Sequence, residues 1–369
     1  MVALVSDDGA FGGPTSVALS QLQEFATRGH QVELLSLWRG RASAPPSSNS
    51  VRLVTRPARR FVPGRSCLGL MNPLLLRDLW KSVGQADMVH VHAGRDLVSL
   101  TALIVARLRR KPFVTQTHGM VEPRTHMVAR IFDTLYVPLL RRARCNFVLT
   151  AREKQGLERV LGPRRSKLIT LPNGVSATEE FNRLPRHPHE VIFLARLHER
   201  KRPTVFVQMA ALVHEKLPDV RFIMYGPDEG ALDKVLSHVE TLGLTKVVRY
   251  AGPLAPSEVH QAYRNAAVYV LPSVDEPFPM TILEALAAGL AVVCTDSCGI
   301  AKTLAHREAA VVTDGSPEAL ASAVVKLLAD QDLYDRVTDG ARRTLQECFS
   351  IQAVVDRLEA TYAEFAAKL

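Results

Sequence analysis

Short, almost continuously apolar runs alternate with amphipathic segments along the whole 369-residue chain. This alternation limits the fold more than any other feature, because strands that read as unbroken Val/Ile/Leu runs must be covered on both faces. Strands are predicted at Val2–Ser6, Val32–Leu37, Met88–His92, Phe113–His118, Phe147–Thr150 and Leu168–Leu171. A second series follows at Val191–Ala195, Arg221–Tyr225, Val247–Gly252, Val268–Pro272, Ala291–Thr295 and Ala310–Val312. Helical spacing lies between them, at Ser16–Arg28, Asp96–Arg110, Met127–Arg142, Pro203–Lys216, Gly230–Leu242, Ser257–Asn265, Thr281–Ala288 and Pro317–Asp330. The expected class is α/β, with parallel sheets sandwiched by helices. Twelve strands exceed one sheet of ordinary size, so two such domains are expected. The division falls at 1–172 and 189–348, with a turn-rich linker at 173–188 and a closing amphipathic helix within 349–369.

Composition narrows the function classes. Apolar residues make up 47% and charged residues 22%, a globular profile with no run long enough to span a bilayer. Met1–Val5 runs into the first strand without a basic head or cleavage site, so a cytoplasmic protein is expected. Five scattered cysteines argue for reduced thiols, and Cys294 and Cys298 lack a second Cys/His pair for zinc. Charge is uneven: residues 1–172 hold 26 Lys+Arg against 11 Asp+Glu, although the chain as a whole is only +9. A solvated basic surface explains this as well as an anionic partner does. The clusters Arg107–Lys111 and Arg141–Arg144, with the apolar stretch Leu68–Trp80, fit contact with anionic lipid. Nucleic-acid binding rests on charge alone, without interleaved aromatics.

Open parallel sheets bind ligands beyond the carboxyl ends of their strands, so the loops leaving those strands hold the candidates. Gly12-Gly13 would let backbone approach a ligand ahead of a helix start, though paired glycines are common in turns. His118, within Thr117-His118-Gly119, sits at a strand end. His90 and His92 share one strand face, but a metal pair would need further ligands. Arg196 and Lys201 lie in a basic loop before a helix, a combination of fork and point charge that suits a diphosphate. The most informative segment runs from Pro272 to Gly289. It puts Glu276 on a loop and Glu284 in the early turns of a helix, so both carboxylates can serve one pocket as acceptors for hydroxyls. No metal site is expected: Asp330-Gln331-Asp332 reads as a surface turn.

With these residues in place, the sequence resembles glycosyltransferase family 4, retaining enzymes of the GT-B fold, over nearly its whole length. Glu276 and Glu284 match the family's Glu-x7-Glu motif, followed by Ala-Leu-Ala-Ala-Gly; Arg196 and Lys201 match its basic pair. Gly12-Gly13, His118, Asn173-Gly174-Val175 and Tyr225-Gly226-Pro227 resemble its glycine loop, strand-end histidine, hinge and nucleotide-side turn. The resemblance implies two Rossmann-like domains facing a cleft, with the last helix crossing back to the first domain. It implies that Arg196 and Lys201 hold the diphosphate, Glu284 the ribose, and Glu276 and His118 the donor sugar. Gly226 then lies by the nucleotide, and the acceptor docks on the first domain. Pro277 and Pro279 depart from the family's glycines; proline offers no N–H, so loop contacts fall to the amides of Phe278, Met280 and Thr281.

The expected activity is metal-independent transfer of a hexose-type sugar from a nucleotide-diphosphate sugar to an acceptor hydroxyl, without a separate cofactor. A UDP-sugar is favoured over a GDP-sugar, and a small or lipid-linked sugar is the expected acceptor. Two other readings share the architecture: a nucleotide-sugar epimerase or hydrolase, and a non-catalytic sugar-binding protein.

Overall fold

The computed structural model describes residues 1–6, 12–39, 50–61, 69–124, 127–163, 166–176 and 189–366. Its packing divides the chain into two units, Met1–Gly174 with Ile351–Leu369, and Val175–Ser350.

The first unit carries β1 (Val2–Ser6), β2 (Glu33–Arg39), β3 (Arg52–Pro57), β4 (Arg59–Arg60), β5 (Leu70–Met71), β6 (Val89–His92), β7 (Phe113–Gln116), β8 (Cys145–Val148) and β9 (Lys167–Thr170). Its helices are α1 (Gly12–Thr27), α2 (Pro73–Gln85), α3 (Leu97–Leu108), α4 (Met127–Leu140) and α5 (Ala151–Leu161), joined by the last helix of the chain, α13 (Ile351–Ala366). Seven parallel strands form one sheet in the order β3-β2-β1-β6-β7-β8-β9, while β4 and β5 pair separately. Successive residues of a strand face opposite sides, and both sides are covered. Phe113 and Val148 pack with α2, α3, α4 and α5, whereas their neighbours Val114 and Phe147 pack with α13. Phe25 of α1 stacks on Tyr362 of α13, and Arg28 pairs with Asp356 and Glu359. Gly174 is demanded by this packing: a Cβ there would lie 2.9 Å from Ile351 Cα.

The second unit carries β10 (Glu190–Leu194), β11 (Arg221–Tyr225), β12 (Val248–Gly252), β13 (Val268–Leu271), β14 (Ala291–Thr295) and β15 (Val311–Thr313). Its helices are α6 (Pro203–His214), α7 (Leu232–Thr241), α8 (Pro256–Arg264), α9 (Met280–Ala287), α10 (Ala301–His306), α11 (Pro317–Ala329) and α12 (Gln331–Thr344). Strand order is β12-β11-β10-β13-β14-β15, all parallel. In sequence ranks this is 3-2-1-4-5-6, the doubly wound order whose direction reverses between its first and fourth strands. β10 and β13 are those neighbours, paired at Val191–Val268 and Ile192–Tyr269. All four residues of β13 are buried, as a central strand of such a sheet must be.

The differences from the sequence reading have local causes. β3 was not expected; its sequence, Arg-Leu-Val-Thr-Arg-Pro, carries the charge and proline of a sheet edge. α2 lies within the apolar stretch read only as a surface segment, and is started by the Asn72 side chain accepting from Leu74 N, with Pro73 in the first turn. α5, α10 and α12 were also missed. Asp330 is no surface turn: it caps α12, accepting from Leu333 N. Gly12 and Gly13 open α1 and do not precede it. The linker residues 177–188 lie outside the described residues.

Candidate active site

The loops leaving β10 and β13 meet at the reversal point of the second sheet. Lys201 Nζ donates to Glu276 Oε2 at 2.5 Å, and only 12% of either side chain is exposed. Arg200 stands 3.7 Å from the same carboxylate oxygen and is much more open. Val274 N donates to the Arg200 carbonyl, which ties the two loops by backbone as well. The loop after β14 fixes the other side: Gly299 N donates to the Glu276 carbonyl, and Asp275 N to Ser297 Oγ. Glu276 is therefore held at both its main chain and its carboxylate. Phe278 anchors the loop further, buried against Phe349 at 6.1 Å between ring centres.

Glu284 lies one helical stretch on, in α9. Two tyrosines position that helix. Tyr263 donates to the Thr281 carbonyl at 3.0 Å and approaches Glu284 Oε2 at 3.5 Å. Tyr269 shares a 2.8 Å hydrogen bond with Thr281 Oγ1 and donates to the Leu194 carbonyl at the end of β10. Burial raises the Glu284 carboxyl above the usual range, against the lowering effect of Tyr263. Burial is also the main reason the Tyr269 hydroxyl resists ionisation, and the charges of Glu284 and Glu276 add to it. The charges of both carboxylates are thus felt at one phenol on β13. No side chain caps α9; Pro279 occupies the cap in an extended conformation. Its first-turn amides, with Met280 and Thr281 half-buried, form an uncapped positive end between the two acids along the chain.

Arg196 is placed differently from Lys201. It is exposed and pairs with Glu229 at 2.7 Å. That pair belongs to a stitched junction between the loops after β10 and β11. Leu197 N donates to the Pro227 carbonyl and Glu229 N to the Leu197 carbonyl. Gly226 makes the junction feasible: at φ 140° any Cβ would sit 1.9 Å from the Ala195 carbonyl oxygen.

In the first unit His118 follows β7 with φ 50°, a conformation costly for a residue with a Cβ. Among the described residues five non-glycine residues share positive φ. His118, Arg202 and Asp275 lie in the candidate loops, while Arg110 and Glu308 close α3 and α10. The strain at His118 is offset by Glu153 at the start of α5. Its Oε1 accepts from Thr117 Oγ1 and Gly119 N, both at 2.5 Å, and its Oε2 from Leu149 N at 2.6 Å. Sequence reasoning passed over Glu153 because it assigned no element to α5.

His118 is also the end of a stack. Its Nε2 lies 2.8 Å from His92 Nδ1, and the His92 ring is stacked 4.7 Å from His90, whose Nδ1 meets Tyr362 OH at 2.6 Å. One ring of the His92–His118 pair must donate and the other accept. Met1 Sδ, 3.4 Å from His92 Nε2, can only accept. With His92 donating there, His118 donates to His92 and keeps its own Nδ1 as an acceptor. Burial holds all three rings neutral: His118 is lowered to about 3, and His90 and His92 fall well below the ordinary value. The two strand histidines are thus stacked on each other, His90 hydrogen-bonded to Tyr362 and His92 to His118. Cys294 and Cys298 are buried free thiols.

The comparisons with known proteins agree with this architecture. A model described as Glycosyltransferase Family 4 matches residues 11–179, and one described as Glycosyl transferases group 1 matches residues 176–344. A D-inositol 3-phosphate glycosyltransferase of Corynebacterium glutamicum is 31% identical over 55% of this chain and 50% of its own length. The same-named protein of Thermobispora bispora is 26% identical over 83% of this chain and 77% of its own. The chain thus spans about half the length of the first curated relatives it matches. Among solved structures, Anabaena HepE in complex with UDP superposes with a TM-score of 0.73 at 16% identity, each chain covered fully. Sucrose-phosphate synthase from Thermosynechococcus elongatus gives 0.70 at 18% identity, covering 100% of this chain and 99% of that one. At such identity these structures speak for the fold, which is GT-B. Two consecutive family models covering both units, on that fold, establish that the chain belongs to glycosyltransferase family 4.

Proposed function

We propose that this protein transfers a hexose-type sugar from a nucleotide-diphosphate sugar, a UDP-sugar before a GDP-sugar, to an acceptor hydroxyl with retention at the anomeric carbon. The observation that carries the reading is the Lys201–Glu276 pair at the reversal point of the second sheet, followed along the chain by the uncapped start of α9, the helix that carries Glu284. A cation, two hydroxyl acceptors and a positive helix end form the set of groups a sugar diphosphate needs.

In this reading Lys201 and the amides of Met280 and Thr281 take the diphosphate and stabilise its charge as it leaves. Electrostatic help of this kind, aimed at charge that develops in the transition state, is the main catalytic contribution. Arg196 joins them after leaving Glu229, an exchange that its exposure allows. Glu284 accepts from the ribose hydroxyls, Glu276 from hydroxyls of the sugar, and Gly226 gives the base close backbone access. The first unit supplies Gly12, Gly13 and His118, whose free Nδ1 accepts from a sugar hydroxyl, and it takes the acceptor. The departing phosphate serves as base for same-face attack. Support for a UDP-sugar comes from HepE, whose solved complexes contain UDP, or UDP and glucose.

The test is nucleotide release from a panel of UDP- and GDP-sugars, with and without sugar acceptors, and product anomers read by NMR. Release that needs an acceptor and gives the donor's own anomeric configuration supports the proposal. Release at full rate without acceptor points to a hydrolase or epimerase. Binding without turnover, seen as thermal stabilisation of about 2.7 kcal/mol at roughly 100 times Kd, points to a sugar-binding protein.

A further inference from the structure

The helix layer α2–α3–α4 of the first unit has an outer face on which large apolar side chains of the described residues stand exposed. Nine of the thirteen large apolar side chains that stand exposed among the described residues belong to these three helices. On α4, Met127, Val128, Ile131 and Leu135 recur at helical spacing and are 57–74% exposed. They form a ridge down a helix about 21 Å long. Ile104 and Leu108 also stand exposed, on the neighbouring α3. Scattered surface apolars need no explanation, but a contiguous patch does.

The inner side shows that α4 is firmly seated with this ridge outward. Tyr136, Val137 and Leu140 are buried in the core. Asp133 takes a bidentate pair from Arg95 at 2.8 and 3.0 Å, and the same guanidinium donates to the Glu122 carbonyl ahead of the helix.

Cations gather at the carboxyl ends of the same helices. Arg107, Arg110 and Lys111 at the end of α3 and Arg142 and Arg144 after α4 line a single pocket. A basic residue at a helix C-terminus is ordinary, but five around one pocket exceed what two helix ends need. The acids of the layer are spent elsewhere: Asp78 on Arg56, Asp96 on capping α3, and Asp133 on Arg95. The pocket opens at the amino end of β7, whereas His92 and His118 lie at the carboxyl ends of their strands.

We infer that this face docks on an anionic bilayer, the α4 ridge entering the interface while the five-cation pocket takes lipid phosphates. An amphipathic helix with an apolar face and an arginine border is the form that lies in a membrane interface, and a basic pocket at its end complements anionic headgroups. No helix among the described residues is long and apolar enough to cross a membrane, so the contact is peripheral. The inference stands independently of the donor site.

Sedimentation of the full chain with phosphatidylglycerol vesicles, against phosphatidylcholine vesicles, tests it. Binding should require the anionic lipid and weaken with salt. Neutralising two pocket charges (Arg142→Gln with Arg144→Gln) should lower it about thirtyfold. Breaking the ridge (Ile131→Asp with Leu135→Asp) should lower it about tenfold or more, with the melting temperature and nucleotide-sugar binding kept. Failure to bind anionic vesicles overturns the inference. So does vesicle binding indifferent to the ridge variant, or a ridge variant that instead dissolves a dimer seen by light scattering, which would make the face a contact between two copies.

Discussion

Replacing Lys201 with alanine separates two roles that its geometry allows. The ammonium sits 2.5 Å from a carboxylate that is itself mostly buried, and the next cation, Arg200, is 3.7 Å away and open to water. Removing one partner of a buried pair leaves the other uncompensated and costs about 3–5 kcal/mol. The residual exposure and Arg200 place Lys201→Ala at the low end, about 3 kcal/mol, or a fall of roughly 6–12 °C in melting temperature for a unit of this size. Turnover should fall further than stability explains. Loss of one donor to a leaving group costs about 10²–10³ in kcat, measured at a temperature where the variant remains folded. Adding Glu276→Gln removes the orphaned charge, so the double variant should regain most of the lost melting temperature while turnover stays low. Two results would refute the reasoning: turnover of Lys201→Ala within about threefold of the parent, or turnover restored together with stability in the double variant. Either would mean that Lys201 serves only to neutralise Glu276.

The histidine stack makes stability acid-sensitive. Because the folded rings titrate far below the unfolded value of about 6.5, the unfolded chain binds protons that the folded one refuses, and stability falls as pH drops below that value toward 3. Each ring contributes a slope of about 1.4 kcal/mol per pH unit, so a urea midpoint for the first unit that is flat between neutral pH and the pH of incipient acid unfolding would contradict the assignment. Gly226→Ala should lose well over 2 kcal/mol, since its Cβ meets the Ala195 carbonyl in a glycine-only conformation; a melting temperature within error of the parent would show that the junction yields easily. Glu153→Gln keeps the shape of the latch on the His118 loop but not its charge; turnover should fall several-fold with the fold retained, and an unchanged KM and kcat would remove His118 positioning from the account.

The fold was legible because burial writes itself into sequence. β10, β13 and β14 are covered on both faces and read as apolar runs; β3, at an edge, does not. Short helices such as α10 carry too few turns for a period to register. At the site, the loop positions of Lys201 and Glu276 followed from the strand–helix grammar, and their direct pairing did not, since it depends on which strands become neighbours. The partners supplied by distant chain segments stayed hidden for the same reason: nothing in the sequence around Tyr263, Tyr269 or Glu153 marks which loop each will reach. Arg196 shows the converse, a residue beside Lys201 in sequence whose side chain turns to a different loop.

The stitching of Arg196, Leu197, Pro227 and Glu229 has a practical side for redesign. A library that varies residues 227–230 to alter the preferred base would drag the neighbouring loop with it, because every change to Glu229 also frees a guanidinium. Selectivity and rate would then shift together, and variants chosen for a new nucleotide would need Arg196 randomised in the same round to recover speed.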